Sequence, residues 1–216
     1  MRIKKILTQS SFILILLGVP MLAFAIYNVI IGNQDKLGFY GPAEKDANGE
    51  IIYHTIPDFS FTNQLGKTVT EKDYQGKVYV ANFFFAVCPG ICPKMSSQLY
   101  RVQEAYKDDS RVRIISHSVD PVRDSVPVLA EYASQYRIDE DKWDLITGDK
   151  AEIYKIARNG YMIAALEGDG GPQEFIHSEK LVLIDTRGRI RGYYDGTEEK
   201  KVDQLIQDIK ELLKSK

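Results

Sequence analysis

The two cysteines of the chain, Cys88 and Cys92, are the residues whose type and spacing suggest chemistry most directly. Only three residues separate them, in the segment VCPGICP at positions 87–93, so both sulfur atoms can reach the same partner. Such a pair can exchange thiol and disulfide states, or bind one metal ion through two thiolates, which are soft ligands suited to Cu(I). A purely structural disulfide would close a very short loop and restrain little of the unfolded chain. Two cysteines are too few for a four-thiolate zinc or iron–sulfur site.

A third metal ligand could come from one of three histidines, His54, His117 and His177. We expect His54 to be exposed on an extended arm, and His117, inside the run RIISHSV, to be a core histidine of a sheet. His177 follows the glycine-rich stretch GDGGP and precedes LVLID, which is a predicted strand. In a thioredoxin-like sheet the start of that strand lies beside the cysteine loop. His177 is therefore the candidate that could complete a Cys2His site, which suits Cu(II) or Zn(II).

The elements around the cysteines are predicted to place them at one edge of a sheet. Residues 77–86 (KVYVANFFFA) are almost all apolar or aromatic, which is typical of a strand buried on both faces. Residues 93–106 show helical periodicity, and proline is favoured at the first position of a helix. We therefore predict Cys92 as the helix N-cap and Cys88 in the loop before it. The unpaired N–H groups and the positive end of the helix dipole favour thiolates there.

The remaining periodicity predicts an α/β fold with a mixed sheet. Strands are predicted at residues 59–61, 68–70, 77–86, 111–119, 143–147, 181–185 and 190–194, and helices at 93–106, 127–136, 149–160 and 198–213. We expect Asn159 and Gly160 to end the third helix as a left-handed cap. This order is that of the thioredoxin-like fold with an N-terminal β-hairpin extension and an inserted central segment.

The N-terminal residues have the pattern of a membrane anchor. Arg2, Lys4 and Lys5 precede an uncharged stretch whose apolar centre covers residues 12–31. About 20 residues that rise about 1.5 Å each match the hydrocarbon core of a bilayer. We predict one N-terminal transmembrane helix with its basic end in the cytoplasm. A secretory signal cleaved near residues 23–25 (AFA) is the alternative, and in both cases the rest of the chain is exported.

Composition and charge define the other parts of the chain. The whole sequence is 44% hydrophobic and 27% charged, as folded domains are, and its net charge of −2 provides no basic field for nucleic acid. We divide the chain into an anchor or signal at 1–31, a linker or arm at 32–56 and a single domain at 57–216. Within the arm, residues 51–56 could form an edge strand.

Three motifs carry a resemblance to a known family. CPGICP, HSVDPVRDSVPVLAEY and FIHSEKLVLIDTRGRIRGYYDGT, in that order and spacing, closely resemble the SCO/SenC copper-binding proteins that help assemble cytochrome c oxidase. The resemblance implies a thioredoxin-like fold that binds one copper, Cu(I) or Cu(II), through Cys88, Cys92 and His177. It also implies copper delivery to, or thiol reduction of, the binuclear copper centre in oxidase subunit II. Together with the predicted anchor this describes a membrane-tethered metallochaperone. Because its two cysteines must be reduced before copper binds, we expect a thiol reductase as a further partner. The expected location is a bacterial cytoplasmic membrane, with the domain on its extracytoplasmic side.

Some neighbouring residues have two interpretations. Asp120 corresponds to the acidic residue of the family's S-x-D-P segment, where it could hydrogen-bond the histidine ligand or could simply form an Asp-Pro turn. Arg123 and Asp124 are expected to form a structural pair or cap in the same turn. The loop has Gly90 and Ile91 where family members commonly carry an acidic residue, so the site is expected to be less acidic.

More than one role is compatible with such a site. Copper delivery requires no catalytic residue, so the protein need not be an enzyme. A thiol–disulfide oxidoreductase would use Cys88 and Cys92 as a redox-active pair and would not need His177. A copper or redox sensor would use the same groups. A peroxiredoxin-like peroxidase fits less well, since Phe85 stands three residues before Cys88, where a threonine is expected.

Overall fold

The computed structural model describes residues 18–22, 37–163 and 178–214. Residues 18–22 are helical and exposed. Leu37–Lys214 belongs to one compact unit, which carries the cysteines. Among the described residues, no helix has both the length and the apolar character needed to cross a bilayer. Most of the predicted anchor lies outside the described residues, so the transmembrane helix stays a prediction.

The elements of the compact unit follow the predicted order closely. The strands are β1 Ala43–Lys45, β2 Ile51–Tyr53, β3 Ser60–Asn63, β4 Thr68–Thr70, β5 Val78–Phe84, β6 Val112–Ser118, β7 Trp143–Thr147, β8 Lys180–Ile184 and β9 Ile190–Asp195. The α-helices are α1 Ile91–Ala105, α2 Val126–Gln135, α3 Lys150–Lys155 and α4 Glu199–Leu212. A 3₁₀ turn covers Glu71–Tyr74, and a π-helical turn, Ile156–Gly160, continues α3.

One mixed sheet of seven strands organises the unit, in the order β4-β3-β7-β6-β5-β8-β9. Strands β5, β6 and β7 are parallel to one another, whereas β3, β8 and β9 run antiparallel to their neighbours. The connections β5-α1-β6-α2-β7 and β8-β9-α4 are the two halves that the sequence predicted. The hairpin of β3 and β4 precedes them, as predicted.

Apolar residues are buried on both faces of this sheet, which explains why β5 reads as a continuous apolar run. Along β5, Val78 and Val80 belong to one core cluster, and Tyr79 and Ala81 belong to the other. The first cluster includes the apolar residues of helices α1, α2 and α4, and the second includes those of β3, β4 and α3. Cys92 packs in the first cluster. A residue can therefore lie near Cys92 only if it is on the face of the sheet that carries the first cluster.

The region assigned to a linker contains ordered contacts with the sheet. Strand β2, within the predicted edge strand at 51–56, pairs with β1 in a separate two-stranded sheet, so it is not an edge of the main sheet. The buried guanidinium of Arg191 donates to the carbonyl oxygens of Leu37 and Gly38, at 2.7 and 3.0 Å. The ring of Phe39 lies against this guanidinium at 4.1 Å. Residues 37–39, at the start of the described part of the predicted arm, are thus fixed to β9.

The predicted left-handed cap at Gly160 is wrong. Gly160 is not among the described residues with positive φ, and Met162, two residues later, has φ of 55°. Gly160 is required for space instead, since a Cβ there would lie 2.8 Å from Ile156 Cγ1 and 3.1 Å from Pro57 Cδ. The start of the helix is as predicted, because the Asp149 side chain accepts the N–H of Glu152 at 3.0 Å.

Candidate metal centre

The cysteines lie where the central strand β5 passes into α1. Gly90 is the N-cap and α1 begins at Ile91, so Cys92 is the second residue of the helix and Cys88 lies in the loop before it. The predicted N-cap at Cys92 is therefore wrong by two residues. The helix can start before Pro93 because the N–H groups of a first turn have no intrahelical acceptor, so a proline there costs no hydrogen bond.

Cys88 is the half-exposed thiol of the pair. Both cysteines are free thiols, and the Cys92 side chain donates to the sulfur of Cys88. Burial by itself would raise the pKa of Cys88. Hydrogen bonds from the Cys92 thiol and from the backbone N–H groups of Cys92, Gly90 and Ile91 outweigh it and lower the pKa below its ordinary value. The helix N-terminus thus stabilises the Cys88 thiolate, as the sequence predicted.

Cys92 has the opposite protonation preference, so the expectation of a stabilised thiolate is wrong for this residue. It is only 3% exposed. Burial, followed by its hydrogen bond to Cys88, raises the pKa of Cys92 to about 12. The pair therefore loses its first proton from Cys88, and Cys92 keeps its proton to well above neutral pH. A metal ion that binds both sulfurs must displace the proton of Cys92, so metal affinity is expected to rise with pH.

Asp124 joins the cysteine loop to the end of β6, and the sequence did not single out this role. Its fully buried carboxylate accepts the Ala86 N–H, with 3.1 Å between Ala86 N and Asp124 Oδ2, and the Ser118 hydroxyl. Burial raises the pKa of Asp124. The signal that could have found it is position, because Asp124 follows the carboxyl end of β6, beside the loop that follows β5.

Asp120 forms the turn that carries Asp124. Its carbonyl oxygen accepts the N–H groups of Arg123 and Asp124, at 3.0 and 2.9 Å. Its nearly buried carboxylate pairs with Arg123, at 3.3 Å between Asp120 Oδ2 and Arg123 Nε. The expected pairing of Arg123 with Asp124 is therefore replaced by a pair between Arg123 and Asp120. The alternative role of Asp120, a hydrogen bond to the histidine ligand, stays a prediction.

His177 lies outside the described residues, so its place as a ligand stays a prediction. The strand that follows it is described. Strand β8 runs antiparallel to β5, with Ala81 opposite Val182. The start of β8 therefore lies at the same sheet edge as the end of β5, where the cysteine loop begins.

The other two histidines are structural. His117 is fully buried on the face of the sheet that carries the second core cluster. Its ring stacks on Phe83, with 4.9 Å between the ring centroids, and its Nε2 lies 3.2 Å from the Tyr161 hydroxyl. Burial lowers the pKa of His117 to about 3, so it is neutral, and the prediction of a core histidine is confirmed. His54 was expected to be exposed, but it is half-buried, with Nε2 2.7 Å from the Gly160 carbonyl oxygen.

The donor set of the described residues is incomplete for a three-coordinate metal site. No group of three or more His, Cys, Asp or Glu side chains suited to a metal ion occurs within the described ranges. The cysteines supply two sulfur donors on one short segment, and this chemistry fits a soft ion such as Cu(I). His177, the predicted third ligand, lies outside those ranges.

The fold and the site together define a class of protein: a thioredoxin-like domain whose dithiol lies at the junction of the central strand and the first helix. The family model for SCO1/SenC matches residues 50–214. The chain belongs to the SCO1/SenC family.

Individual relatives agree with this assignment. The SCO1 protein homolog of Bacillus subtilis (strain 168) is 33% identical over 161 residues, which cover 74% of this chain and 83% of the relative. The structure of BsSco, a member of the Sco family of cytochrome c oxidase assembly proteins in which a disulfide switch was identified, is 31% identical, with a TM-score of 0.64 and coverage of 76% and 95%. The structure of Bradyrhizobium japonicum ScoI with copper bound is 27% identical, with a TM-score of 0.59 and coverage of 73% and 99%. The chain spans only 37% of the Arabidopsis thaliana mitochondrial homologue.

Proposed function

We propose that this protein is a membrane-tethered copper metallochaperone that assists assembly of the binuclear copper centre of cytochrome c oxidase. One observation carries the proposal: two free thiols are hydrogen-bonded to each other at the N-terminus of α1, and the more exposed one, Cys88, has a lowered pKa. The copper-bound state of the Bradyrhizobium japonicum relative supports copper as the metal.

The residues have separate roles in this proposal. Cys88 is the entry ligand, because it is half-exposed and its pKa is lowered. Cys92 closes the site from the buried side once its proton has left. His177 supplies the third ligand through a neutral imidazole. Asp124 and Ser118 hold the loop in place from behind, through the Ala86 N–H.

The sequence and the family support a proposed location and proposed partners. Basic residues before the apolar stretch at 12–31 favour a cytoplasmic N-terminus and an extracytoplasmic domain at a bacterial cytoplasmic membrane. Oxidase subunit II is the proposed copper acceptor. Because an oxidising compartment favours the disulfide, a thiol reductase is the proposed partner that prepares the cysteines.

Copper titration of the reduced full chain tests the proposal. We expect one copper per chain, loss of tight binding in the Cys88→Ser, Cys92→Ser double variant, and weaker binding in His177→Ala. His54→Ala is the matched control, since it removes a histidine that is bound to a backbone carbonyl instead. Electron paramagnetic resonance of the Cu(II) form distinguishes thiolate from imidazole ligands. If the double cysteine variant binds copper as tightly as the wild type, the proposal is wrong.

A thiol–disulfide oxidoreductase is the second candidate, and the unequal pKa values of the two cysteines favour it. The Cys88 thiolate would attack a substrate disulfide and release one substrate sulfur as a thiolate. Cys92 would then pass its proton to that thiolate and attack the Cys88 sulfur, which releases the second substrate sulfur as a thiolate and leaves a Cys88–Cys92 disulfide. The BsSco disulfide switch agrees with such chemistry in a relative. Reductase activity that survives His177→Ala but not Cys88→Ser would support this candidate.

A further inference from the structure

Two exposed valines lie at the sheet edge that carries the accessible thiol. Val87, directly before Cys88, is 60% exposed, and Val122, in the turn after β6, is 85% exposed. The Val119 N–H donates to the Phe84 carbonyl oxygen at 2.8 Å and ties the ends of β6 and β5 together. Each valine lies three residues beyond this hydrogen bond, so both lie at the sheet edge that carries the cysteines.

The valines are not needed to hold the cysteine loop. The loop is fixed from inside by Asp124, which accepts the Ala86 N–H, and by the packing of Cys92 in the core. Single exposed apolar residues are common on protein surfaces, but apolar residues grouped around a reactive group mark interaction sites. Burial of the Val87 and Val122 side chains therefore stabilises the protein only when another molecule covers this edge and removes their apolar surface from water.

Copper or disulfide exchange at Cys88 requires a second molecule to approach this sheet edge. Cys92 is 3% exposed, whereas Cys88 is half-exposed. An incoming sulfur atom, from a copper acceptor or from a disulfide, must reach Cys88 first. The polypeptide that carries this sulfur then lies over Val87, the neighbour of Cys88 in sequence.

The exposed charges in the two segments that carry the valines favour one kind of polypeptide. In the loop 86–94 and the turn 120–124, the exposed charged residues are Lys94 and Arg123, both positive. The carboxylates of Asp120 and Asp124 are buried, and Asp120 neutralises Arg123 only in part, since the Arg123 side chain is 66% exposed. Carboxylates on a partner are therefore favoured beside the valines.

We propose that Val87, Val122, Lys94 and Arg123 form a docking surface for a polypeptide segment that presents a cysteine between apolar side chains and carries carboxylates nearby. The proposal rests on the proposed function, since the partner is the protein that exchanges copper or a disulfide with Cys88. The valines contribute contact area, and the cations favour the orientation in which the acidic residues lie beside the turn.

Disulfide exchange with synthetic peptides tests the surface. The full chain, purified in mild detergent, carries Cys92→Ser so that the reaction stops after one exchange. The probe is a peptide with one cysteine between two leucines, joined through a disulfide to 5-thio-2-nitrobenzoate. The Cys88 thiolate attacks the peptide sulfur, the new disulfide forms, and the coloured nitrobenzoate thiolate leaves with the electron pair of the broken bond. Three peptides carry glutamates, lysines or serines outside the leucines.

The glutamate peptide is expected to react fastest, by about threefold over the lysine peptide at low ionic strength, and the difference should shrink as salt rises. V87S/V122S is expected to slow the glutamate peptide about fivefold because apolar contact is lost. Leu65→Ser is the matched control, since Leu65 is 41% exposed in the turn after β3, at the opposite sheet edge. Equal rates for the control and V87S/V122S, or equal rates for the three peptides, would overturn the proposal.

Copper titration separates this proposal from the proposed function. V87S/V122S with both cysteines intact should bind copper as the wild type does, because neither valine is a ligand. If copper binding is normal and the exchange rates do not depend on the valines, the docking surface is wrong and the metallochaperone proposal stands. If the wild type binds no copper, the metallochaperone proposal is wrong whatever the exchange rates show.

Discussion

The carboxylate of Asp124 accepts the backbone N–H of Ala86, with 3.1 Å between Ala86 N and Asp124 Oδ2. The two residues are far apart in sequence, and Ala86 stands only two residues before Cys88. The same carboxylate accepts the hydroxyl of Ser118 at the end of β6. One buried side chain thus ties the start of the cysteine loop to the neighbouring strand.

Removal of this side chain should affect both stability and copper binding. In Asp124→Ala, the Ala86 N–H and the Ser118 hydroxyl lose their acceptor, which should cost about 2–3 kcal/mol in the free energy of unfolding. Copper affinity should fall as well, because the loop is no longer fixed. Asp124→Asn should retain more of both properties, since its side-chain oxygen can still accept the Ala86 N–H.

Urea unfolding and copper titration measure the two effects. Asp108→Ala, which removes an exposed carboxylate, is the control variant. If Asp124→Ala binds copper and unfolds as Asp108→Ala does, Asp124 does not position the loop.

The pH dependence of alkylation should show that the pKa of Cys88 is lowered. We expect the rate of iodoacetamide modification of Cys88 to rise through a midpoint below the ordinary thiol pKa of about 8.5. Cys92→Ala should move that midpoint upward, because the side-chain donor to the Cys88 sulfur is lost. Cys92→Ser retains a donor and should move it less. An unchanged midpoint in Cys92→Ala would show that Cys92 does not stabilise the Cys88 thiolate.

His117 should make the protein less stable in acid. Burial lowers the pKa of His117 to about 3 in the folded state, whereas an unfolded chain has a histidine pKa of about 6.5. Below about pH 6.5 the unfolded state binds a proton that the folded state does not, so stability falls as pH falls towards 3, by up to about 1.4 kcal/mol per pH unit. His117→Phe removes this contribution.

The measurement is the free energy of unfolding by urea at several pH values between about 4 and 7. The wild type should lose more stability than His117→Phe across that range. Parallel curves for the two proteins would contradict the assignment of a neutral, buried imidazole.

Gly160 should tolerate no side chain. In Gly160→Ala the new Cβ would lie 2.8 Å from Ile156 Cγ1 and 3.1 Å from Pro57 Cδ, so the π-helical turn must shift, at a cost of about 2 kcal/mol. Thermal unfolding measures the loss. Gly38→Ala is the control, since the nearest atom to its Cβ is a Tyr40 ring carbon at an ordinary 3.7 Å. Equal stability of the two variants would exclude the steric explanation.

The sequence by itself determined the elements and the chemistry of the thiol pair. The apolar run of β5, the helical periodicity of α1 and the hairpin of β3 and β4 are local patterns, and local patterns depend on residues that are neighbours along the chain. The spacing of Cys88 and Cys92 and the helix that follows them were sufficient to predict a stabilised thiolate at Cys88, but not the raised pKa of Cys92, which depends on its burial.

The tertiary structure alone decided how distant parts of the chain meet. It paired Asp124 with Ala86 and Asp120 with Arg123, and it bound His54 to the Gly160 carbonyl. It also showed that α1 begins at Ile91, before the position that the sequence predicted. These outcomes depend on which donors and acceptors are buried together when the sheet and helices pack. A buried polar group without a hydrogen-bond partner is costly, so the pairing of such groups is specific. Local sequence patterns do not predict which distant groups become buried next to each other.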